Sequence, residues 1–240
     1  YAHLGTTVLF FGRDDGINEH GLSVTMSSCG FPVGALPDMG PPRIKGLQFW
    51  AVIRTLLENC RDVYEALAYL EGMPIAYNLN LLLADKGGRA ALFETLDGAS
   101  AFKEIGPESG EKMLWATNHA VLPDLMAGER EVMVHSLKRY DYIAKELQGR
   151  SGVEREKLKA MLLARYPEGL CCHHYADFFG TTKSMILSPE DGTVEICWGG
   201  RAENGWRTYA VDHPLEEGGE EIEMTPEEAE AGTFAFHPRG

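Results

Sequence analysis

Apolar and polar positions along the chain follow two periods, and these predict a succession of strands and paired helices. Apolar residues recur every three to four positions over 47–59, which predicts a helix. A second helix is predicted over 62–70, because Asp62 is placed to cap its first turn and Glu65 follows three residues later. Alternating or continuous apolar runs bounded by turn residues predict strands over 8–11, 22–26, 75–84, 89–95, 114–117, 183–187, 193–198 and 208–211.

Two further helices are predicted over 129–147 and 153–164, and a short helix start at Thr225, with Pro226 in its first turn. Residues 30–46 are rich in Gly and Pro and predict a loop, which either rims a pocket or simply connects two elements. Hairpins are frequent and no βαβ alternation is visible. The pattern therefore predicts an α+β protein whose mainly antiparallel sheets are covered by helices.

The length and composition are those of a globular domain. The chain has 240 residues, of which 44% are apolar and 24% charged, so it can bury a sizeable core without disulfides or metals. We predict a single domain over 1–215 and a separate acidic C-terminal tail over 216–240. The apolar runs are far too short for a membrane span, and we expect no membrane partner.

The charge balance argues against a nucleic-acid partner. The net charge is −14, and such a field repels a phosphate backbone. Half of this net negative charge lies in residues 216–240, which contain eight Glu and one basic residue, Arg239. We interpret this tail as a solvated acidic segment.

The chain has five cysteines, an odd number without framework spacing, which predicts free thiols in a reducing compartment such as the cytoplasm. Cys171–His174 places four metal-ligand types in a row. Adjacent residues on an extended chain point to opposite faces, so these four side chains cannot all coordinate one metal ion tetrahedrally. We predict neither a metal site nor a cofactor. Cys29 ends a predicted strand beside the Gly- and Pro-rich loop, which is a suitable place for a pocket residue.

Thr117–His119 directly follows a predicted strand. An Asn held at a strand end can donate a hydrogen bond to a developing oxyanion. The tripeptide by itself is equally compatible with an Asn-capped turn.

Several segments, in order, resemble the choloylglycine hydrolase and acyl-CoA:6-aminopenicillanate acyltransferase group of N-terminal-nucleophile hydrolases. Gly16–Val24 resembles the Gly-Met-Asn-Glu strand of that group, and Leu82–Glu94 resembles its Ala-Asp-x-x-Gly hairpin. Thr117–His119 matches its Thr-Asn-His, and Ser136–Arg139 is similar to its Ser-x-x-Arg helix start. The resemblance also includes the helix pair at 54–66 and the hairpin at 182–198, and it is closer to the acyltransferase-like branch.

This resemblance implies a four-layer αββα sandwich with two mainly antiparallel sheets between helix layers. It implies a self-cleaving precursor whose new N-terminal Cys attacks a small amide or acyl-thioester substrate. Asn118 is then the oxyanion-hole amide. The substrate-binding candidates are Ser28, Cys29, Tyr77, Asn78, His119 and Phe179, the last at the position of a late Arg in the group.

The nucleophile Cys of the group lies upstream of the strand that Gly16–Val24 resembles. Since this sequence begins at Tyr1, we expect that Cys and the first strands of the fold to precede it. The main alternative is a non-catalytic binding or scaffold protein with the same fold. A third is an unrelated α+β enzyme that uses Cys29 or Cys171–His174. A homo-oligomer is compatible with all three.

Overall fold

The computed structural model describes residues 1–8, 11–29, 44–213 and 215–239. Within these ranges, the largest sheet has six strands in chain order, β1 to β6, each antiparallel to the next. A second sheet has the order β10-β11-β12, and two short pairs, β7 with β13 and β8 with β9, complete the strands. The strands are β1 (His3–Leu4), β2 (Gly16–Asn18), β3 (Ser23–Ser28), β4 (Leu79–Ala84), β5 (Ala90–Leu96), β6 (Ala99–Ile105), β7 (Glu131–Met133), β8 (His173–His174), β9 (Phe179–Gly180), β10 (Lys183–Ser188), β11 (Thr193–Trp198), β12 (Arg207–Ala210) and β13 (Phe236–Pro238).

The helices are short and amphipathic. Among the described residues, every helix lacks the length and apolar character that a bilayer span requires. They are α1 (Phe49–Asn59), α2 (Val63–Leu70), α3 (Pro123–Met126), α4 (Val134–Leu147) and α5 (Arg155–Leu163).

The two sheets face each other between helices. Leu79, Leu81 and Leu83 of β4 pack with α1 and α2 in the main core, because alternate residues of a strand point to one face. The second sheet packs through Val194 and Ile196 against Ile17 of β2. Helix α5 covers the outer side of the second sheet, where Ser184 Oγ donates to the Leu162 carbonyl at 3.3 Å. The predicted four-layer αββα arrangement is confirmed.

The N-terminus of α2 is capped as predicted. Asp62 Oδ1 accepts a hydrogen bond from the Glu65 amide at 2.8 Å. We expect Asp62→Ala to lower the free energy of unfolding by about 1 kcal/mol, because an orphan N–H of the first turn loses its acceptor. Asp62→Asn restores a capping oxygen and should unfold at nearly the wild-type urea midpoint. Equal losses in the two variants would contradict the capping role.

The predicted strand over 114–117 is wrong. Residues 114–117 have no strand assignment, and the segment lies on the face of the six-stranded sheet rather than beside an edge strand. Side chains bind its backbone instead. The Thr117 carbonyl accepts from Ser27 Oγ and from Asn80 Nδ2.

Strand β6 was missed by the sequence analysis, although its turn signal is present. Asp97 and Gly98 both have positive φ, at 49° and 91°, as a two-residue hairpin turn requires. The strand that follows is an exposed edge, so it lacks the alternation of apolar residues by which strands are recognised.

The predicted helix over 129–147 is a strand followed by a helix. Residues 131–133 form β7, which pairs with β13 near the end of the chain, and α4 begins only at Val134. A partner more than a hundred residues away leaves no local pattern in the sequence.

Two other predicted elements are absent from the described residues. Thr225 begins no helix, because the Glu227 amide donates to the His173 carbonyl at 2.8 Å. In the predicted strand over 8–11, Val8 and Phe11 lie in bends, and positions 9 and 10 fall outside the description. Most of the Gly- and Pro-rich loop, positions 30–43, also lies outside the described residues.

Candidate active site

A cross-strand pair of polar residues on the sheet holds the segment 117–122. Asn80 and Glu94 are directly opposite each other on β4 and β5, and both are buried. Asn80 Nδ2 donates to the carbonyls of Thr117 and His119 at 2.8 and 3.1 Å. The Glu94 carboxylate accepts from the amides of Val121 and Leu122, each at 2.9 Å. The backbone on both sides of Asn118 is therefore fixed to the rigid centre of the sheet.

The side-chain amide of Asn118 is fixed at both of its ends. Its Oδ1 accepts from Arg139 Nη2 at 2.7 Å, and its Nδ2 donates to the Ser28 carbonyl at 3.0 Å. The residue is half-buried. Since Arg139 occupies the oxygen, the amide presents its NH₂ group toward the end of β3, and the second hydrogen of that group remains as a donor. The adjacent guanidinium also polarises the amide, which strengthens this donor.

Ser136, in the first turn of α4, holds the same tripeptide from the other side. Its Oγ accepts from the Asn118 amide at 2.7 Å and lies 2.8 Å from His119 Nδ1 and 3.0 Å from Thr117 Oγ1. Burial, helped by the charges of Arg239 and Arg139, lowers the pKa of His119 to about 4. The imidazole is therefore neutral at pH 7, and its Nδ1 can accept a hydrogen bond from the Ser136 hydroxyl.

Arg139 is itself held in position by His135, one helical turn earlier. Arg139 Nε donates to the His135 carbonyl at 3.2 Å and to His135 Nδ1 at 3.1 Å. Burial and the neighbouring guanidinium lower the pKa of His135 to about 3, so its Nδ1 stays available as an acceptor. Burial also lowers the pKa of Arg139.

Of the predicted substrate-binding residues around the end of β3 and the start of β4, Ser28 contacts Asn118, and Tyr77 and Cys29 lie next to Ser28. The Ser28 carbonyl accepts from the Asn118 amide group, and the Ser28 hydroxyl lies 2.8 Å from the Tyr77 hydroxyl. Cys29 follows directly and is fully buried, with its amide donating to the Asn78 carbonyl at 3.0 Å. The Asn78 side chain points away from this group, because its Oδ1 accepts from the amide of Asp97 in the β5–β6 turn.

Phe179 reaches the site through an aromatic cluster. Its ring stacks on Phe234 with centroids 4.2 Å apart and lies 6.0 Å from the His135 ring. His135 in turn supports Arg139. Phe179 is therefore separated from Asn118 by the side chains of His135 and Arg139. The imidazole of His119, another predicted substrate-binding residue, packs edge-on against Tyr140.

The cysteines and the histidine of the segment 171–173 contact backbone carbonyl groups nearby. Cys171 Sγ donates to the Gly200 carbonyl at 3.1 Å, and Cys172 Sγ lies 3.8 Å from the Phe179 carbonyl oxygen. His173 Nε2 lies 3.0 Å from the Gly199 carbonyl oxygen. In the part of the chain that the structure describes, no three His, Cys, Asp or Glu side chains form a group that could hold a metal ion.

Sequence reasoning missed the residues that position Asn118. Asn80 and Glu94 were detectable in principle, because each is a polar residue inside an otherwise apolar strand. Arg139 and Ser136 had been noted only as a helix motif, and their contact with Asn118 depends on how α4 docks. Glu129, which accepts from the Ala120 amide at 2.9 Å, had no signal beyond its charge.

The buried histidines predict how stability changes with pH. Their folded-state pKa values lie below the ordinary 6.5, so unfolding takes up protons, and stability is lost as the pH falls from 6.5 toward 4. Glu129 acts in the opposite direction, because burial raises its pKa from 4.5 to about 7, and its stabilising effect is lost as the pH rises through that range. Each group contributes a slope of up to about 1.4 kcal/mol per pH unit.

The unfolding free energy of the wild type should rise between about pH 5 and 6. We expect this rise to be less steep in His119→Asn and steeper in Glu129→Gln. Urea titrations of each variant and the wild type at several pH values measure these slopes. Parallel curves for all three proteins would show that neither group is perturbed in the folded state.

The αββα arrangement is the fold of the N-terminal-nucleophile hydrolases, the class of the solved structures that resemble this chain. Two mutant forms of conjugated bile acid hydrolase from Clostridium perfringens share this fold. They superpose with TM-scores of 0.56 and 0.54 at 12% and 11% identity, and each match covers 95% of this chain and 82% or 83% of that chain. Penicillin V acylase from Agrobacterium tumefaciens matches at 17% identity with a TM-score of 0.46, and the match covers 78% of this chain and 63% of that one.

The family assignment comes from the sequence. The family model for acyl-coenzyme A:6-aminopenicillanic acid acyl-transferase matches residues 1–203, and the chain belongs to this family. The family resemblance expected from the sequence motifs is thereby confirmed. A search of the curated proteins finds no match.

Proposed function

We propose that this chain carries the oxyanion-binding part of a cysteine amide hydrolase or acyltransferase, whose nucleophile lies N-terminal to Tyr1. The observation that carries the proposal is the Asn118 amide, which Arg139 and Ser28 hold with its NH₂ group as the remaining donor. A donor that is fixed before the reaction needs no reorganisation when charge develops, which makes it effective toward an oxyanion. The substrate is a small molecule with an amide or acyl-thioester bond.

The reaction begins with a terminal Cys that precursor self-cleavage exposes. Its α-amino group, with an ordinary pKa of about 7.7–8.0, takes the thiol proton. The thiolate sulfur forms a bond to the substrate carbonyl carbon, and the carbonyl π electrons move to oxygen. Asn118 Nδ2 donates a hydrogen bond to this oxyanion.

The tetrahedral intermediate then collapses to an acyl-enzyme. The carbonyl re-forms, the carbon–nitrogen bond of an amide or the carbon–sulfur bond of a thioester breaks, and the leaving amine or thiol receives the proton held by the α-amino group. Water attacks the thioester in hydrolysis, whereas a second amine attacks it in acyl transfer. Either attack passes through a second oxyanion at the same place and releases the thiol.

The cysteines within the chain are poor candidates for this nucleophile. All five are buried, and burial raises the pKa of each thiol, that of Cys60 to about 12 and that of Cys29 well above its ordinary value. The carboxylates of Glu129 and Glu94 raise the pKa of Cys29 further. A thiol is nucleophilic only as the thiolate, so this environment favours a nucleophile from outside the described residues.

A substrate is first sought with penicillin V, with a conjugated bile acid and with an acyl-CoA plus 6-aminopenicillanic acid, the compounds named in its relatives, and the protein is assayed with its preceding region. An acyl-enzyme is then diagnosed from how its acyl group divides between water and an added nucleophile. Hydroxylamine is then added to compete with water for the acyl group. Substrates with one acyl group but different leaving amines should give one ratio of hydroxamate to acid, since all pass through the same intermediate.

A ratio that varies with the leaving amine would contradict the acyl-enzyme. Tight binding of a panel compound without any turnover, in a protein that carries an upstream Cys, would instead favour a non-catalytic binding protein with this fold.

A further inference from the structure

The end of the chain returns to the candidate site. We define the C-terminal strap as residues 233–239. It lies outside residues 1–203, which match the family, and it follows an acidic stretch in which seven of the eight Glu side chains are exposed. Within the strap, β13 pairs with β7, and the Val134 amide donates to the Ala235 carbonyl at 2.9 Å. The strap is thus attached to the backbone that starts α4, the helix that supplies Ser136 and Arg139.

The first arm of the strap is Arg239. Its Nη1 donates to Glu129 Oε2, and the same oxygen accepts from the Ala120 amide at 2.9 Å. The two side chains are only 18% and 3% exposed, so water screens this contact poorly, and it is an ion pair once the pH exceeds the Glu129 pKa of about 7. Ala120 is two residues beyond Asn118. Arg239 therefore fixes the carboxylate that holds the backbone two residues beyond Asn118.

The second arm is Phe234. Its ring stacks on Phe179 and lies 5.5 Å from the ring of His135. His135 accepts two hydrogen bonds from Arg139, whose guanidinium holds Asn118 Oδ1. Phe234 thereby packs behind the residue that orients the amide. The two arms therefore act on Asn118 by separate routes, the first through the backbone at Ala120 and the second through the Asn118 side-chain oxygen.

We propose that the strap positions the oxyanion-binding amide of this chain, with Arg239 and Phe234 as positioning residues. This inference rests on the proposed function for its catalytic consequence, but not for its structural one. A displacement of the order of 1 Å at a reacting centre can lower turnover by about 10²-fold, so loss of either arm is expected to be measurable in catalysis. The side chains of Arg239 and Phe234 act on Asn118 indirectly, through Glu129 and His135.

The test compares Arg239→Ala, Arg239→Lys and Phe234→Ala in the protein with its preceding region, and Arg150→Ala serves as a matched surface control. Active sites are first titrated by the acyl burst, so that turnover is expressed per competent molecule. We expect Arg239→Ala and Phe234→Ala each to lower kcat about tenfold or more with little change in KM. Arg239→Lys should recover part of the loss because it restores the charge.

Amide hydrogen exchange of the peptide that contains 117–122 provides a readout that requires no activity. Exchange should become faster in Arg239→Ala and Phe234→Ala, and should stay at the wild-type rate in Arg150→Ala. Unchanged exchange, or unchanged kcat per titrated site, in both strap variants would overturn the proposal. A wild-type protein without turnover would overturn the proposed function, and exchange would still decide whether the strap holds the segment.

Discussion

Replacement of Asn118 by alanine should lower kcat toward amide substrates by about 10²–10³-fold, the usual cost of removing one oxyanion donor. KM should change much less, because the donor acts on charge that develops only in the transition state. Steady-state kinetics of the protein with its preceding region measures both values. The effect is large because the Asn118 amide group is already held in place. Within the described residues its Nδ2 donates only to the Ser28 carbonyl, so its second hydrogen remains for the oxyanion.

The control for this variant removes the same amide group at the surface. Asn59→Ala truncates an exposed Asn whose Nδ2 caps the Thr55 carbonyl on α1, and we expect wild-type kinetics from it. Should Asn118→Ala retain more than about half of the wild-type kcat, the amide does not stabilise an oxyanion and the proposed mechanism fails.

Replacement of Glu94 by alanine should be the most damaging change to stability, at about 3–5 kcal/mol of unfolding free energy. Glu94 is fully buried and accepts from the amides of Val121 and Leu122. Its removal leaves both amides without an acceptor and opens a cavity in the sheet face, and each defect is costly. Urea unfolding monitored by circular dichroism gives the value.

Two further variants separate the causes. Glu94→Gln keeps an accepting oxygen and should lose clearly less than Glu94→Ala. Glu104→Ala removes a carboxylate from the exposed edge strand β6, where its pair with Arg89 is solvated, and should cost less than about 1 kcal/mol. Similar losses at positions 94 and 104 would mean that the 117–122 segment does not depend on Glu94.

The α+β class with antiparallel sheets could be predicted because its core elements carry strong local signals, whereas the αββα layering followed only from the family resemblance. Helix α2 has a capping Asp62, and the hairpin of β10 and β11 has alternating apolar residues on both sides of a Gly-containing turn. Elements whose partners are remote in sequence could not be predicted. Strand β7 exists because β13 pairs with it, and the segment 114–117 is held by side chains of β3 and β4 instead of by a neighbouring strand.

Only part of the candidate site could be predicted from the sequence. Asn118 was identified through a motif, and the structure places its amide in contact with Ser28, whose hydroxyl lies next to that of Tyr77. The groups that fix it come from β4, β5, α4 and the end of the chain, and no spacing along the sequence relates these elements. Arg239 is the clearest case, since it was counted only as the single positive charge of an acidic tail.

Identification of the residue that carries the acyl group tests the central proposal most directly. The protein with its preceding region is mixed with substrate, quenched in acid during turnover and digested, and the acylated peptide is sequenced by mass spectrometry. We predict the acyl group on a cysteine at the mature N-terminus, upstream of Tyr1, and the rate at which it forms before the steady state should fall in Asn118→Ala. An acyl group on Cys29 or Cys172 would contradict the mechanism and place the nucleophile within the chain.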